Sequence, residues 1–248
     1  MAAETFVQSG GAIRQAVRPS IKTHDFKGET MGYEFDWAPV LDWHVWASAI
    51  SVTISYALAT ASAGLFFGVI IGLCLLSERA VIRWPFSVLV QFVRCTPLLV
   101  QIIWLYYVLP ILTGLQIPAT IAAGLGLTIY MSAFAAEIVR GGIISIEKGQ
   151  WNASKAIGLT YLQMMRHVIM PQAVKRMIPP LVGQFILQMK NTSLLYVVAV
   201  PDLMYTSYEL TARTYRPLEI YTFVALLYFA MLYPLTLLAK RLERRSDL

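Results

Sequence analysis

The sequence predicts an all-α integral membrane protein of about five hydrophobic helices, and three observations support this. The chain is 57% hydrophobic and only 14% charged, where a soluble domain carries roughly 25% charged residues. It contains uncharged runs of 32, 42 and 20 residues, at 45–76, 95–136 and 220–239. About 20 apolar residues suffice to cross a bilayer. Among the connections that follow the first run, lysine and arginine concentrate on alternate ones, which is how short loops mark the cytoplasmic side of a membrane.

The elements follow in chain order. Residues 1–44 read as a polar tail ending in an interfacial segment. There Phe35, Trp37, Leu41, Trp43 and Trp46 mix with Asp36 and Asp42, and tryptophan favours the membrane–water boundary. The first apolar run starts near Val45, too late for a cleavable signal peptide. Residues 45–76 make span one, long enough to tilt. The second run is too long for one crossing. Pro110, Gly114 and Pro118 divide it, since each disfavours a continuing helix, giving spans at 86–110 and 119–139. A fourth span covers 181–200 and a fifth 220–239. The membrane domain is thus 45–240, followed by a basic tail, 241–248.

Orientation comes from the loops. Arg79 and Arg83, then Arg140, Lys148, Lys155, Arg166, Lys175 and Arg176, then Lys240, Arg241, Arg244 and Arg245 share one side, against Arg213 and Arg216 on the other. Twelve against two places the first set in the cytoplasm and the N-terminus outside; Arg14, Arg18, Lys22 and Lys27 of the tail mildly oppose this, but long segments weigh little in the rule. The net charge of +6 is therefore a topology signal. Nucleic-acid binding is not expected, because no basic cluster accompanies a nucleic-acid fold. Cys74 and Cys95 lack redox or metal spacing, and His24, His44 and His167 are scattered. No phosphate-binding Gly-x-x-x-x-Gly-Lys-[Ser/Thr] loop occurs.

Between spans three and four, a segment of about 140–180 projects into the cytoplasm. Trp151, Asn152, Ala153, Ser154, Lys155 and Ala156 read as a short helix stopped near Ile157 by Gly158. Thr160 and Gln163 have the spacing of a capping box opening a second helix, which Pro171 must end or bend. Ala153, Ser154 and Ala156 are small enough to let another surface approach closely, although packing on the chain's own spans is an equally good explanation of the spacing alone.

These residues carry a resemblance. Residues 147–181 resemble the cytoplasmic signature of permease subunits of ATP-binding-cassette importers, built around Glu-Ala-Ala followed by glycine. Arg94-Cys95-Thr96-Pro97-Leu98-Leu99-Val100-Gln101 is similar to the Arg-Gly-Thr-Pro-Leu-Leu-Val-Gln signature of the polar amino acid uptake branch. Ala136-Glu137-Ile138-Val139-Arg140-Gly141-Gly142-Ile143 and Lys190-Asn191-Thr192-Ser193-Leu194-Leu195 match further signatures. Together they reach from about Phe35 to Glu243. Asn152 and Ser154 depart from the family, which has glutamate and a second alanine there, and this implies a weaker dock.

The resemblance implies a type I importer permease fold in the bacterial cytoplasmic membrane. It also implies a second permease chain, two cytoplasmic ATPases docking around Ala153 to Gly158, and an external solute-binding protein. ATP and magnesium would sit on the ATPase, and this chain would hold no cofactor.

Polar residues within the spans complete the reading. Gln91, Arg94, Leu98 and Gln101 recur at helical spacing, as do Gln184, Gln188 and Asn191, and Tyr130, Phe134 and Glu137. Such faces usually line a cavity or another helix. Gln101, Gln184, Gln188, Asn191 and Tyr130 are the candidate solute path, with helix–helix hydrogen bonding as the alternative. Arg94, Glu137 and Lys190 are candidate gating or structural charges, Glu137 pairing with Arg140 or Lys190. Replacing Gln184 or Gln188 by leucine is expected to impair transport and spare assembly. A stand-alone secondary transporter would explain the polar faces but gives the projecting helices no purpose. An intramembrane enzyme lacks a catalytic cluster at midplane depth.

Overall fold

The computed structural model describes residues 33–246, with side chains to residue 244. Most of the expected N-terminal tail and the end of the basic tail lie outside the described residues. Everything from Asp36 onward belongs to one body. Among the described residues every regular element is helical.

Helix α1, Trp43–Leu75, spans 33 residues and starts on Asp42, whose carboxylate accepts from the His44 N–H. At 1.5 Å per residue it is about 50 Å long, more than the roughly 30 Å of hydrocarbon it must cross. It packs along α4, Ala119–Ile144, and small residues set how closely. A Cβ on Gly68 would lie 2.5 Å from the Ala135 Cβ, and one on Gly72 would lie 2.8 Å from the Ala136 carbonyl oxygen. Backbones meet here because no side chain separates them.

The second expected span is not continuous. α2, Ala80–Cys95, and α3, Leu98–Thr113, meet at an angle of 106°. Thr96 is extended with Pro97 behind it. Proline excludes its predecessor from the helical region and cannot donate to the preceding turn. The helical spacing drawn from Arg94 to Gln101 is therefore corrected, because the two stand on different helices. The Gln101 Nε2 closes the break instead, donating to the carbonyls of Val93 at 2.8 Å and Thr96 at 2.9 Å. α3 ends on left-handed Gly114.

α5, Lys148–Ala156, is the projecting helix, and Gly158 beyond it is left-handed at φ +79°. Thr160 and Gln163 form the expected capping box, opening α6. This helix runs through Tyr161–Met164, a π-helical turn at Met165–Ile169, and Met170–Asn191. Pro171 does not end it, and Pro179 and Pro180 lie inside it. The wide turn ends two residues before Pro171, just as the π turn Trp104–Val108 in α3 ends two residues before Pro110. A wide turn accommodates the missing N–H and the ring, a regular use of π turns inside helices.

The expected fourth span, 181–200, is thus the end of a longer helix. After Asn191 the chain tightens into a 3₁₀ segment, Thr192–Val198, and turns at left-handed Ala199. α7, Leu203–Thr214, follows where only a loop was expected, and α8, Pro217–Ser246, closes the chain.

α1, α4 and α8 are each long and apolar enough to cross a membrane, and the bent α2–α3 pair is a fourth candidate. Lys175, Arg176 and Lys190, together with the polar row Gln184, Gln188 and Asn191, explain why α6 does not join them. Trp46 corrects the interfacial reading: it is fully buried, packs against Phe223, and donates its indole N–H to the Val40 carbonyl. Phe35, Trp37, Leu41 and Trp43 are exposed.

Candidate functional site: the projecting helix and the polar faces

α5 is seated by one face. Trp151 and Leu159 pack on a buried cluster of Val139, Ile143, Met164, Ile169 and Ala173, which joins the end of α4 to the start of α6. The Ser154 side chain is buried, its hydroxyl donating to the Gln150 carbonyl at 2.7 Å. Gln172 on α6 donates to the Gln150 side chain at 3.4 Å, and Arg176 to the Ser145 carbonyl. Displacing α5 must therefore move α4 and α6.

The other face is open. Asn152, Ala153, Lys155, Ala156 and Gly158 are exposed, as is Ile157, at 75%. Tyr161 and Leu162 extend this surface, exposed at 68% and 76%. They sit outside any span, so lipid does not explain them, and apolar patches of this kind mark protein interfaces. Sequence reasoning passed over both. The available signal was an aromatic and a leucine in the first turn after a capping box. Of the small residues proposed for close approach, Ala153 and Ala156 face outward and Ser154 faces inward.

The polar face of α6 divides into roles. Gln188 is fully buried, and its Nε2 donates to the Thr60 hydroxyl of α1 and the Leu127 carbonyl of α4, both at 2.9 Å. It ties three helices together. Gln184 is also buried, yet among the described residues its Nε2 has no partner, and neither has the Asn191 Nδ2. Leaving such a donor unpaired costs about 1–3 kcal/mol.

On α4, Tyr130 and Phe134 lie against each other, centroids 4.6 Å apart, and the Arg94 guanidinium sits 5.4 Å over Phe134. Arg94 also reaches Glu137 at 3.8 Å, while Arg140 binds the same carboxylate oxygen at 2.9 Å. Glu137 therefore has Arg140 as expected, with Arg94 as its second partner in place of Lys190. The Glu137 carboxylate, reaching Arg94 from α4, links α4 to α2, and with two arginines around it the site keeps a local positive surplus. Lys190 is exposed on the last turn of α6.

Two buried carboxylates escaped sequence reasoning. Asp202 caps α7, accepting from the Tyr205 N–H at 2.8 Å. Burial pushes its carboxyl up to about 6, against the lowering pull of backbone N–H donors. Glu219, in the first turn of α8, accepts the Asp36 N–H at 3.0 Å and pairs with Arg216 at 3.7 Å. Only the folded chain brings Asp36 to Glu219, whereas Tyr205 and Arg216 each lie three residues from the carboxylate they meet. Among the described residues no cluster of histidine, cysteine or carboxylates is placed to hold a metal.

Known proteins share this arrangement. Residues 64–247 match the family described as binding-protein-dependent transport system inner membrane component. The glutamine transport system permease protein GlnP of Escherichia coli is 36% identical over 223 residues, covering 87% of this chain and 99% of that protein. The probable glutamine ABC transporter permease protein GlnP of Bacillus subtilis is 39% identical over 198 residues, covering 79% and 90%. The crystal structure of an amino acid ABC transporter with histidines superposes with a TM-score of 0.80 at 31% identity, covering 86% of this chain and 99% of that one. Matched over most of its length in sequence and fold, the chain belongs to the family of binding-protein-dependent transport system inner membrane components, the permease subunits of ABC importers.

Proposed function

We propose that this chain is one permease subunit of an ATP-driven importer for a polar amino acid or amino-acid derivative. The observation that carries the reading is α5: a helix outside the spans, fixed to α4 and α6 by Trp151 and Leu159, with a small and apolar face left open. A separate ATPase subunit, holding ATP and magnesium, grips that face around Ala153, Ala156, Ile157 and Gly158. Closure of two such ATPases pulls α5. Because α5 shares a core with α4 and α6, the pull tilts both and alternates access to the path. Only differential affinity for the two states can drive this cycle.

A second permease chain completes the pathway, and an external binding protein delivers the solute. The distribution of basic residues supports a cytoplasmic α5 and C-terminus with the N-terminus outside. Gln184, Asn191 and Tyr130 face the path. Gln101 and Gln188 hold its walls, since their amides are engaged within the chain. Arg94, Glu137 and Arg140 keep α2 and α4 in register while the helices tilt. Lys190, at the end of α6, faces the moving boundary with the second chain.

The test is to purify the assembled complex and measure ATP hydrolysis with its binding protein and each candidate amino acid. Stimulation by one polar amino acid is expected. Hydrolysis indifferent to every binding protein and amino acid would refute the reading.

A further inference from the structure

We infer that the cleft between α5 and the α1–α2 connection is a binding site for the headgroup of an anionic phospholipid. The inference rests on the orientation proposed above, which puts this cleft at the cytoplasmic boundary of the bilayer. The cleft measures about 940 Å³ and is lined by Arg79 and Lys148, with Glu78 and Trp151 beside them. Two cations against one carboxylate leave a positive surplus. Among the described residues neither Arg79 nor Lys148 has an ion-pair partner.

Lys148 is also at the first position of α5, where the helix dipole disfavours a cation. Its charge does not serve the helix, so an anion from elsewhere explains it better. The rim names the source. Leu73 of α1 and Ile144 of α4 line the same cleft and are exposed at 48% and 58%. Both lie in the last turn of helices long and apolar enough to cross the membrane, so the cleft joins charged side chains to exposed hydrocarbon. A phosphodiester with acyl chains matches both parts, and basic pockets between spans on the cytoplasmic side hold such headgroups. Trp151 adds an amphipathic ring of the kind that favours this depth.

The proposed ATPase surface lies elsewhere on α5. Successive residues turn 100° around a helix, so Lys148 and Trp151 share one flank while Ala153 and Ala156 occupy the other. Tyr161 lines the cleft and borders the docking face, so a lipid there would brace α5 against the α1–α2 connection and meet the docking face only at that edge, leaving Ala153 and Ala156 open.

The assembled transporter, stripped of bound lipid, is titrated with phosphatidylglycerol, phosphatidylcholine or inorganic phosphate and read by native mass spectrometry. Phosphatidylglycerol is expected to be retained over phosphatidylcholine, with inorganic phosphate failing to displace it. R79Q/K148Q should weaken retention roughly fivefold per charge removed, the worth of one juxtamembrane basic side chain, and R79K/K148R should restore it. Equal retention by R79Q/K148Q and the unaltered chain overturns the proposal. Displacement by inorganic phosphate overturns it too, as does retention only after the ATPase is removed. Amino-acid-stimulated hydrolysis on the same samples separates the two readings. Its absence would strike the transport function and leave the lipid result intact.

Discussion

The carboxamide of Gln188 and the hydroxyl of Thr60, 128 positions apart, meet at 2.9 Å inside the bundle. With the Leu127 carbonyl on the same nitrogen, this contact fastens α6 to α1 and α4. Gln188→Leu removes both hydrogen bonds of the tie and, in partial offset, the unpartnered Gln188 Oε1, so a net loss of about 1 kcal/mol is expected. Unfolding of the purified permease in detergent measures it. The effect falls on assembly, which revises the expectation drawn from spacing alone.

Gln184→Leu should behave oppositely. Among the described residues its Nε2 has no partner, so its removal relieves a desolvation cost and leaves stability equal or higher. Uptake should fall through a raised KM. Unchanged uptake kinetics in proteoliposomes would take Gln184 out of the path.

The α1–α4 seam allows a paired test. Gly72→Ala forces a Cβ to within 2.8 Å of a backbone oxygen, whereas a Cβ on Gly124 meets nothing within 4 Å. Overpacking costs about 1–3 kcal/mol, so Gly72→Ala should lower the melting temperature and Gly124→Ala should not. Equal melting would mean that the helices do not approach as described.

Asp202 gives a pH dependence. Its carboxyl titrates near 6 when folded, raised by burial from 3.8, so between these values the folded chain holds a proton that the unfolded chain has released. Stability contributed by this group is present at low pH and falls as pH rises through about 4 to 6, by roughly 3 kcal/mol in all. Asp202→Asn keeps an acceptor for the Tyr205 N–H and should lose that slope. Asp202→Ala removes the cap, at a cost of about 1 kcal/mol. Identical pH profiles of unfolding for Asp202→Asn and the unaltered chain would contradict the assignment.

What the sequence made legible was local. The capping box of Thr160 and Gln163 and the stop at Gly158 need only neighbours within a turn. The uncharged runs report burial in lipid directly. The bend at Thr96–Pro97 was hidden because both sides of it are equally apolar. Pro171, read as an end or a bend, misled for the opposite reason: a helix held by tertiary packing absorbs prolines that would end an isolated one. Gln188 and Gln184 share a face and a residue type, and only the position of Thr60 separates a structural amide from a free one. Asp36 reaches Glu219 from the far end of the chain, and the burial of Asp202 depends on the fold around it, although its cap on the Tyr205 N–H was a local signal that went unread.

Cysteine crosslinking from α5 in the assembled complex addresses the coupling role most directly, with Ala153→Cys on the open face and Ser154→Cys on the seated face. Ala153→Cys should crosslink to the ATPase subunit, with a yield that changes when ATP binds, and Ser154→Cys should not. If Ala153→Cys reaches no nucleotide-hydrolysing subunit, or both positions label alike, α5 is not the element through which ATP moves this permease.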